Sequence, residues 1–560
     1  MRKITGGERV EKNLFHFFEE FSISKSLEVF LEYDSEIENI FICITGNYVS
    51  SIEGLLKAPA KANFFLFNPN GIIFGTNALL DINGSFIATT AERVKFDDNI
   101  IFKVKEKQKS TLSENMPVSL IMNDNNSSII INGHGKQIAK SSTFSSIEFE
   151  QEPLGLSVDK FETLALIGNG LTLNGGVVIG GKNIHLISLE SGSVDITHSK
   201  FEVTSSSNSK LQYQDINLER ESLISNNSEE QGTIALTGKN INITNGSFVL
   251  NQNRSDSSNS SITVKASETL TITGRHQSSK LCSTIRSETL NTQAGANINI
   301  FAKELEIQDS GRIRTFSFDR GKGGDIHFEI SSLSNLSKGS IIATTVNRGN
   351  AGNISLSTLK LHLNLAGICS STLGEGNGGI INIDSNLIEI SGNQAGERGS
   401  IAATSFASGN AGSVTINASQ IQVSEGASLS SSSFASGNAG SVTINASKSV
   451  KVIGEKTNSR IGNNPQSTLR AAVQSVSSGG QKAYGLPDIP SGDSGHLLIK
   501  TPFLSITQEG VVTVENQGTG KAGELRIDVD VIEIDRGKIT AAATKDDGKI
   551  LINTSRIEVL

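Results

Sequence analysis

Apolar residues recur along this chain in short alternating runs, separated by turns rich in glycine, asparagine and serine. In Gly412-Ser413-Val414-Thr415-Ile416-Asn417 every second residue is apolar, which is the pattern of a strand with one face buried. The segment SFASGNAGSVTINAS occurs at Ser405–Ser419 and again at Ser433–Ser447, an offset of 433 − 405 = 28 residues. Weaker copies of its glycine-led strand start at Gly295, Gly324, Gly352, Gly379, Gly495 and Gly523. From Gly295 through Gly412 and Gly440 to Gly523 the steps are 29, 28, 27, 33, 28, 55 and 28, and the 55 is close to two periods.

A second glycine series runs in the same register. Gly311, Gly339, Gly367, Gly399, Gly426, Gly510 and Gly537 step by 28, 28, 32, 27, 84 and 27, with 84 read as three periods. Each period holds three strand-like runs: the alternating one, a short one such as Gln420–Val423, and a small-residue run after the second glycine. With no helical pattern between them, these strands predict an all-β chain, a right-handed parallel β-helix with a period of about 28 residues. No single coil of such a solenoid can bury its apolar positions alone, so stacking supplies the core.

Two features depart from the repeat. Thirteen of the 25 Phe fall within residues 1–102, which predicts a locally thick core, such as a cap closing one end of the stack. Residues Glu455–Gly492 carry Pro465, Pro487 and Pro490, which predicts a loop bulging from one coil; the polar segments Asn123–Ser146 and Thr204–Gln231 are read the same way. Asn13–Phe21 (NLFHFFEEF) keeps no clean helical face and is read as strand or turn.

Asn68-Pro69-Asn70-Gly71 lies between the apolar runs Phe64–Phe67 and Ile72–Phe74. Proline pre-sets its own φ, and Asn70 and Gly71 tolerate the angles of a tight turn, so the tetrapeptide predicts a turn joining two buried strands.

Bulk numbers narrow the class. A chain of 560 residues exceeds one compact core, and 55 Gly against 8 Pro and no Trp fits many short strands. A net charge of −8 brings no basic patch and so no expectation of nucleic acid. Cys43, Cys282 and Cys369 show no metal or CxxC spacing and read as isolated thiols without a disulfide framework. No run of eighteen apolar residues predicts a transmembrane helix, and the start MRKITGGERVEKNLFHFF lacks the apolar stretch of a signal peptide.

Residues Ile4–Phe96 resemble the haemagglutination-activity domain, the N-terminal secretion (TPS) domain of filamentous-haemagglutinin-like exoproteins (TpsA) of two-partner secretion. The matching pieces come in family order: ITGG at Ile4–Gly7, NLFHFFEEFSI at Asn13–Ile23, NIFICITG at Asn39–Gly46 and SIEG at Ser51–Gly54. ANFFLFNPNGIIFG at Ala62–Gly75 and GSFIATTA at Gly84–Ala91 follow, and LALIGNGLTLNGG at Leu164–Gly176 looks like their continuation.

The resemblance implies export as an unfolded chain through an outer-membrane TpsB-class transporter, folding outside, and a secreted or cell-surface location. It assigns Asn68, Pro69, Asn70, Gly71 and Ile72 to the NPNGI secretion motif. It places the domain at 1–120, with later coils to about 240, ahead of a β-helical repeat over 121–560 with its loop at about 455–492. Adhesion to host, cell-surface or glycan ligands is the expected use.

Departures accompany it. The second family motif, NPNL, is replaced by DSEIEN at Asp34–Asn39, and the Arg expected before the VTG-like segment is Cys43. The family's signal peptide and first strands do not precede Ile4, so the reading is of an N-terminally truncated domain, and Leu560 ends a strand-like run without a capping segment. A non-functional truncated product is therefore one alternative.

The other alternative is a polysaccharide lyase or hydrolase, since those also use β-helices. It would need carboxylates with Arg or Lys on one face of adjacent coils. Asp325, Asp384, Arg312 and Arg314 are the candidates, and solvated outward positions are the simpler reading, so no enzyme, metal or cofactor is expected. Lys322-Gly323-Gly324-Asp325 lacks the nonapeptide repeat of a calcium β-roll, and the eight His show no metal spacing. The Ser/Thr/Ala runs, such as Ala343–Thr345, Ala402–Ser405, Ser430–Ser433 and Ala541–Thr544, fit a tight corner, or else a contact face for glycans.

Overall fold

The computed structural model describes the chain except residues 107–111, 125, 137, 139–143, 150, 152, 160–161, 198–199, 205–210, 227–231, 255–259, 394–396, 455–465 and 545–547. It divides into two compact units, Met1–Thr284 and Ile285–Leu560. Both are coils of parallel strands, so the all-β helical reading holds.

In the first unit, Asn13–Phe18, Asn39–Ile44, Asn63–Phe67, Phe86–Thr89, Thr163–Gly168 and the start of Asn183–Thr197 stack in parallel. NLFHFF is thus a strand. Register aligns Leu14, Ile40, Phe64, Phe86, Leu164 and Ile184, all buried, into one ladder inside the coil. A second column runs through Ser50–Ile52, Ile72–Phe74, Ile129–Asn132 and Leu171–Asn174.

The Phe-rich stretch builds a second core on the outside of these coils. Phe15, Phe41 and Phe65 alternate with the inward ladder, so they point outward, and they stack on each other at 4.6 Å and 5.0 Å between ring centroids. An antiparallel sheet covers them, made of Arg93–Phe96, Ile101–Lys103, Pro117–Met122, the later part of Asn183–Thr197 and Lys200–Thr204. Val94, Phe96, Phe102, Leu120, Met122 and Val194 close over the rings and over Cys43. The aromatic density therefore thickens the coils sideways, where the sequence suggested an end cap. It also explains why NIFICI is buried at every position.

Two segments expected to be excursions are partly regular. Ile129–Asn132 is a strand of the second column, and Ile216–Glu219 and Leu223–Asn226 complete a coil. Ile147 packs on Val177, Leu223, Phe248 and Leu250, which belong to the parallel strands Val177–Gly180, Leu223–Asn226 and Phe248–Asn253. Of these two segments, residues 125, 137, 139–143, 205–210 and 227–231 lie outside the described residues.

In the second unit each coil is one long strand with a bend, followed by a short strand. Ile326, Ile354, Ile381, Val414, Val442, Leu497 and Leu525 align in successive coils, reproducing the glycine spacing seen in the sequence. The 55-residue step between Val442 and Leu497 is one coil with an insertion, carrying the short helix Ser478–Tyr484. Likewise Leu429, Leu469 and Val512 are successive partners, so the 84-residue step spans two coils instead of three. Pro465 lies outside the described residues.

The repeat GNAG has a packing reason. A Cβ on Gly352, Gly379, Gly412 or Gly440 would fall on the carbonyl oxygen of the equivalent glycine one coil earlier, far inside contact distance. Between the glycines, Asn350, Asn377 and Asn410 each accept, through Oδ1, the backbone N–H of the next coil's equivalent residue at 2.9 Å. The Ser/Thr/Ala runs, expected at a corner, form the short strands Ser340–Thr345, Ser400–Ser405 and Ser428–Ser433; their last residues are buried, and each donates to a glycine carbonyl four residues on.

Candidate functional site

The Asn68–Ile72 turn connects the first column to the second. The Gly71 N–H donates to Asn68 O at 3.0 Å, closing a four-residue turn with Asn at the first position, Pro at the second and Gly at the fourth. The positive φ sits on Gly71, at +115°, while Asn70 stays outside that region, so the turn needs Asn70 for its side chain.

Asn68 is the centre of the bonding and is wholly buried. Its Nδ2 donates to Tyr48 O and to Ser50 Oγ, both at 2.9 Å. Its Oδ1 accepts from the Asn70 backbone at 3.0 Å and from Asn70 Nδ2 at 2.9 Å. Asn70 Nδ2 also donates to Gly46 O at 2.9 Å, and Lys105 Nζ donates to Asn70 Oδ1 at 2.8 Å.

The turn is clamped from the other side by Ser127 and Ser128. The Ser127 N–H donates to Pro69 O at 3.1 Å, and the Ile72 N–H to Ser128 O at 3.2 Å. Ile72 is buried and pairs with both Ser50 and Ile129. Of the five residues, only Asn70 keeps partial exposure. Exposed Tyr48 and Val49 stand beside it.

Residues 2–236 match the family model described as the TPS secretion domain. This part of the chain belongs to that family. The match covers less than half of the 560 residues and contains the whole Asn68–Ile72 turn. The crystal structure of the HMW1 secretion domain from Haemophilus influenzae aligns with 98% of this chain and 92% of its own, at 14% identity and a TM-score of 0.28. No curated protein sequence matches the chain.

Within the TPS domain, Asp34–Asn39 also forms a turn: the Ile37 N–H donates to Asp34 O at 3.0 Å, and Arg9 bridges Asp34 at 2.9 Å and Glu36 at 2.7 Å. Cys43 lies at 0% exposure beneath the antiparallel sheet, where burial pushes its thiol pKa up. Cys43, Cys282 and Cys369 are all free thiols. Lys105, Tyr48 and Ser50 completed the turn's bonding without any signal in the sequence, because each reaches it from another coil or loop.

The carboxylates weighed for catalysis do not converge. Asp325 precedes Ile326, whereas Asp384 follows Ile381 by three residues, so register puts them in different columns. Asp325 pairs with Lys322 at 2.7 Å and accepts the Asn353 N–H at 2.7 Å; Asp384 accepts from Asn417 Nδ2 at 2.8 Å. Arg312 and Arg314 belong to the short-strand column, and Arg314 is buried. Among the described residues no group of three His, Cys, Asp or Glu could hold a metal, and no helix is long and apolar enough to cross a membrane.

Proposed function

We propose that this chain is exported by two-partner secretion through an outer-membrane TpsB-class transporter, and that it then acts outside the cell or on its surface in adhesion. The observation that carries the reading is the TPS secretion domain over residues 2–236. A TPS domain is the export module of exoproteins of this kind.

The geometry of Asn68–Ile72 suggests how the motif is used. Asn68, Pro69, Gly71 and Ile72 are buried once the coils close, which leaves Asn70 for a partner to touch. A transporter that reads the whole motif therefore reads it on the extended chain, and folding then withdraws it. Sequestration after passage opposes return, and the turn's own hydrogen bonds supply part of that driving force. Three free cysteines suit the route, since a long-range disulfide would obstruct a threaded chain.

The test is secretion from cells that carry the chain behind a signal peptide together with a TpsB transporter. The expected result is release that depends on the transporter, and that drops for Asn70→Ala while the purified variant stays folded. Release that persists without the transporter overturns the reading.

A further inference from the structure

In the second unit, register lines up one outward position per coil: Asp384, Asn417, Asn445, Lys500, Asp528 and Asn553. Stacked coils stand about 4.8 Å apart, so these side chains form a polar column. Its first part is self-paired. Asn417 Nδ2 donates to Asp384 Oδ1 at 2.8 Å, and Asn445 Nδ2 to Asn417 Oδ1 at 2.9 Å.

Pairing stops at Lys500, whose ammonium meets no hydrogen-bond or ion-pair partner among the described residues. Asp528 Oδ2 accepts from Arg526 Nε at 2.9 Å, but Asp528 Oδ1 is shielded from solvent and has no partner. At this point a groove of 790 Å³ opens over the strand bends, with Asp530, Thr501 and Ser555 among its lining residues.

The lining selects among ligands. Lys500 stands in it against two carboxylates, Asp528 and Asp530, so a phosphate or sulfate would meet more carboxylates than cations. No aromatic ring and no deep apolar pocket lines the groove, so peptide side chains find no anchor. Amide, ammonium, carboxylate and hydroxyl groups at a regular spacing offer alternating donors and acceptors.

We propose that this groove binds an uncharged linear oligosaccharide, whose hydroxyls bond Lys500, Asp530 and Asn553. The proposal names the ligand class for the adhesive reading above, and rests on that reading only for its biological use.

The experiment titrates the full chain by calorimetry with linear neutral tetrasaccharides of the glucose, mannose and N-acetylglucosamine series, with a sulfated tetrasaccharide as comparison. Lys500→Ala, Asp530→Ala and Asn553→Ala alter exposed side chains, and circular dichroism checks that they fold. At least one neutral sugar is expected to bind, with affinity at least tenfold weaker in Lys500→Ala. Absence of binding by every neutral sugar overturns the proposal, as does binding that all three folded variants retain. Adhesion of the same proteins to a cell monolayer separates the two ideas: adhesion without groove-dependent sugar binding overturns the groove alone, and groove-dependent sugar binding without adhesion overturns the adhesive reading alone.

Discussion

Asn68 holds Asn70 twice through a single oxygen: Oδ1 accepts both the Asn70 backbone N–H at 3.0 Å and its side-chain amide at 2.9 Å. The two residues differ in what else depends on them. Removing the Asn68 side chain leaves Tyr48 O, Ser50 Oγ and the Asn70 amide short of a partner in a buried site. Each buried polar group left unsatisfied costs about 1–3 kcal/mol. Asn68→Ala is therefore expected to lose about 2–4 kcal/mol and the half-exposed Asn70→Ala about 1 kcal/mol. Urea unfolding of the two variants checks the order, and equal losses would mean that Asn68 is not the anchor.

Phe41 sits between Phe15 and Phe65 in the outer stack, with Phe96 edge-on at 5.8 Å. Truncating a buried ring costs about 3–5 kcal/mol, so Phe41→Ala is expected to loosen the antiparallel sheet from the coils. Hydrogen exchange of Arg93–Phe96 and Pro117–Met122 reads this directly. Faster exchange confined to the coils, with the covering sheet unchanged, would refute it.

Lys136 is buried with its ammonium donating to Gly246 O and standing 4.2 Å from the centre of the Phe248 ring. Burial lowers its pKa from 10.5 to about 7, against the opposing pull of Glu221, which also meets His276 at 3.2 Å. The unfolded chain then binds the extra proton between pH 7 and pH 10.5, so this group's contribution makes stability rise with pH over that window and stay flat below it. Lys136→Met is expected to be more stable than the parent at pH 7 by about 2–3 kcal/mol, with the gap shrinking toward pH 10. Denaturant melts of both proteins at three pH values measure the gap, and a constant gap counts against the burial argument.

Gly412 has no room for a methyl group, because the carbonyl oxygen of Gly379 occupies that space. Gly479, in the short helix, has nothing within 4 Å of a built Cβ. Gly412→Ala is expected to cost about 2 kcal/mol or more, since the coils must part, while Gly479→Ala is neutral or slightly stabilising. Thermal melts of the two variants compare them, and equal melting temperatures would remove the packing reason for the repeat.

Period-2 alternation and the two glycine series settled the parallel coils from sequence alone, since a strand's buried face and a glycine-only contact each leave a local mark. The NPNGI turn was equally legible, because Pro and Gly act on their own backbone. Other features depend on register between residues far apart in the chain, which spacing does not encode. The sheet over Phe15, Phe41 and Phe65 comes from residues 93–122 and 192–204, and only folding brings them to the same face. The two long glycine steps hid an insertion in one coil, which strand pairing resolved. Lys500 and Asp528 became neighbours because Leu497 pairs with Leu525. Alternation along a strand is a property of the chain; which polar ends meet across strands was decided by the stacking of the coils.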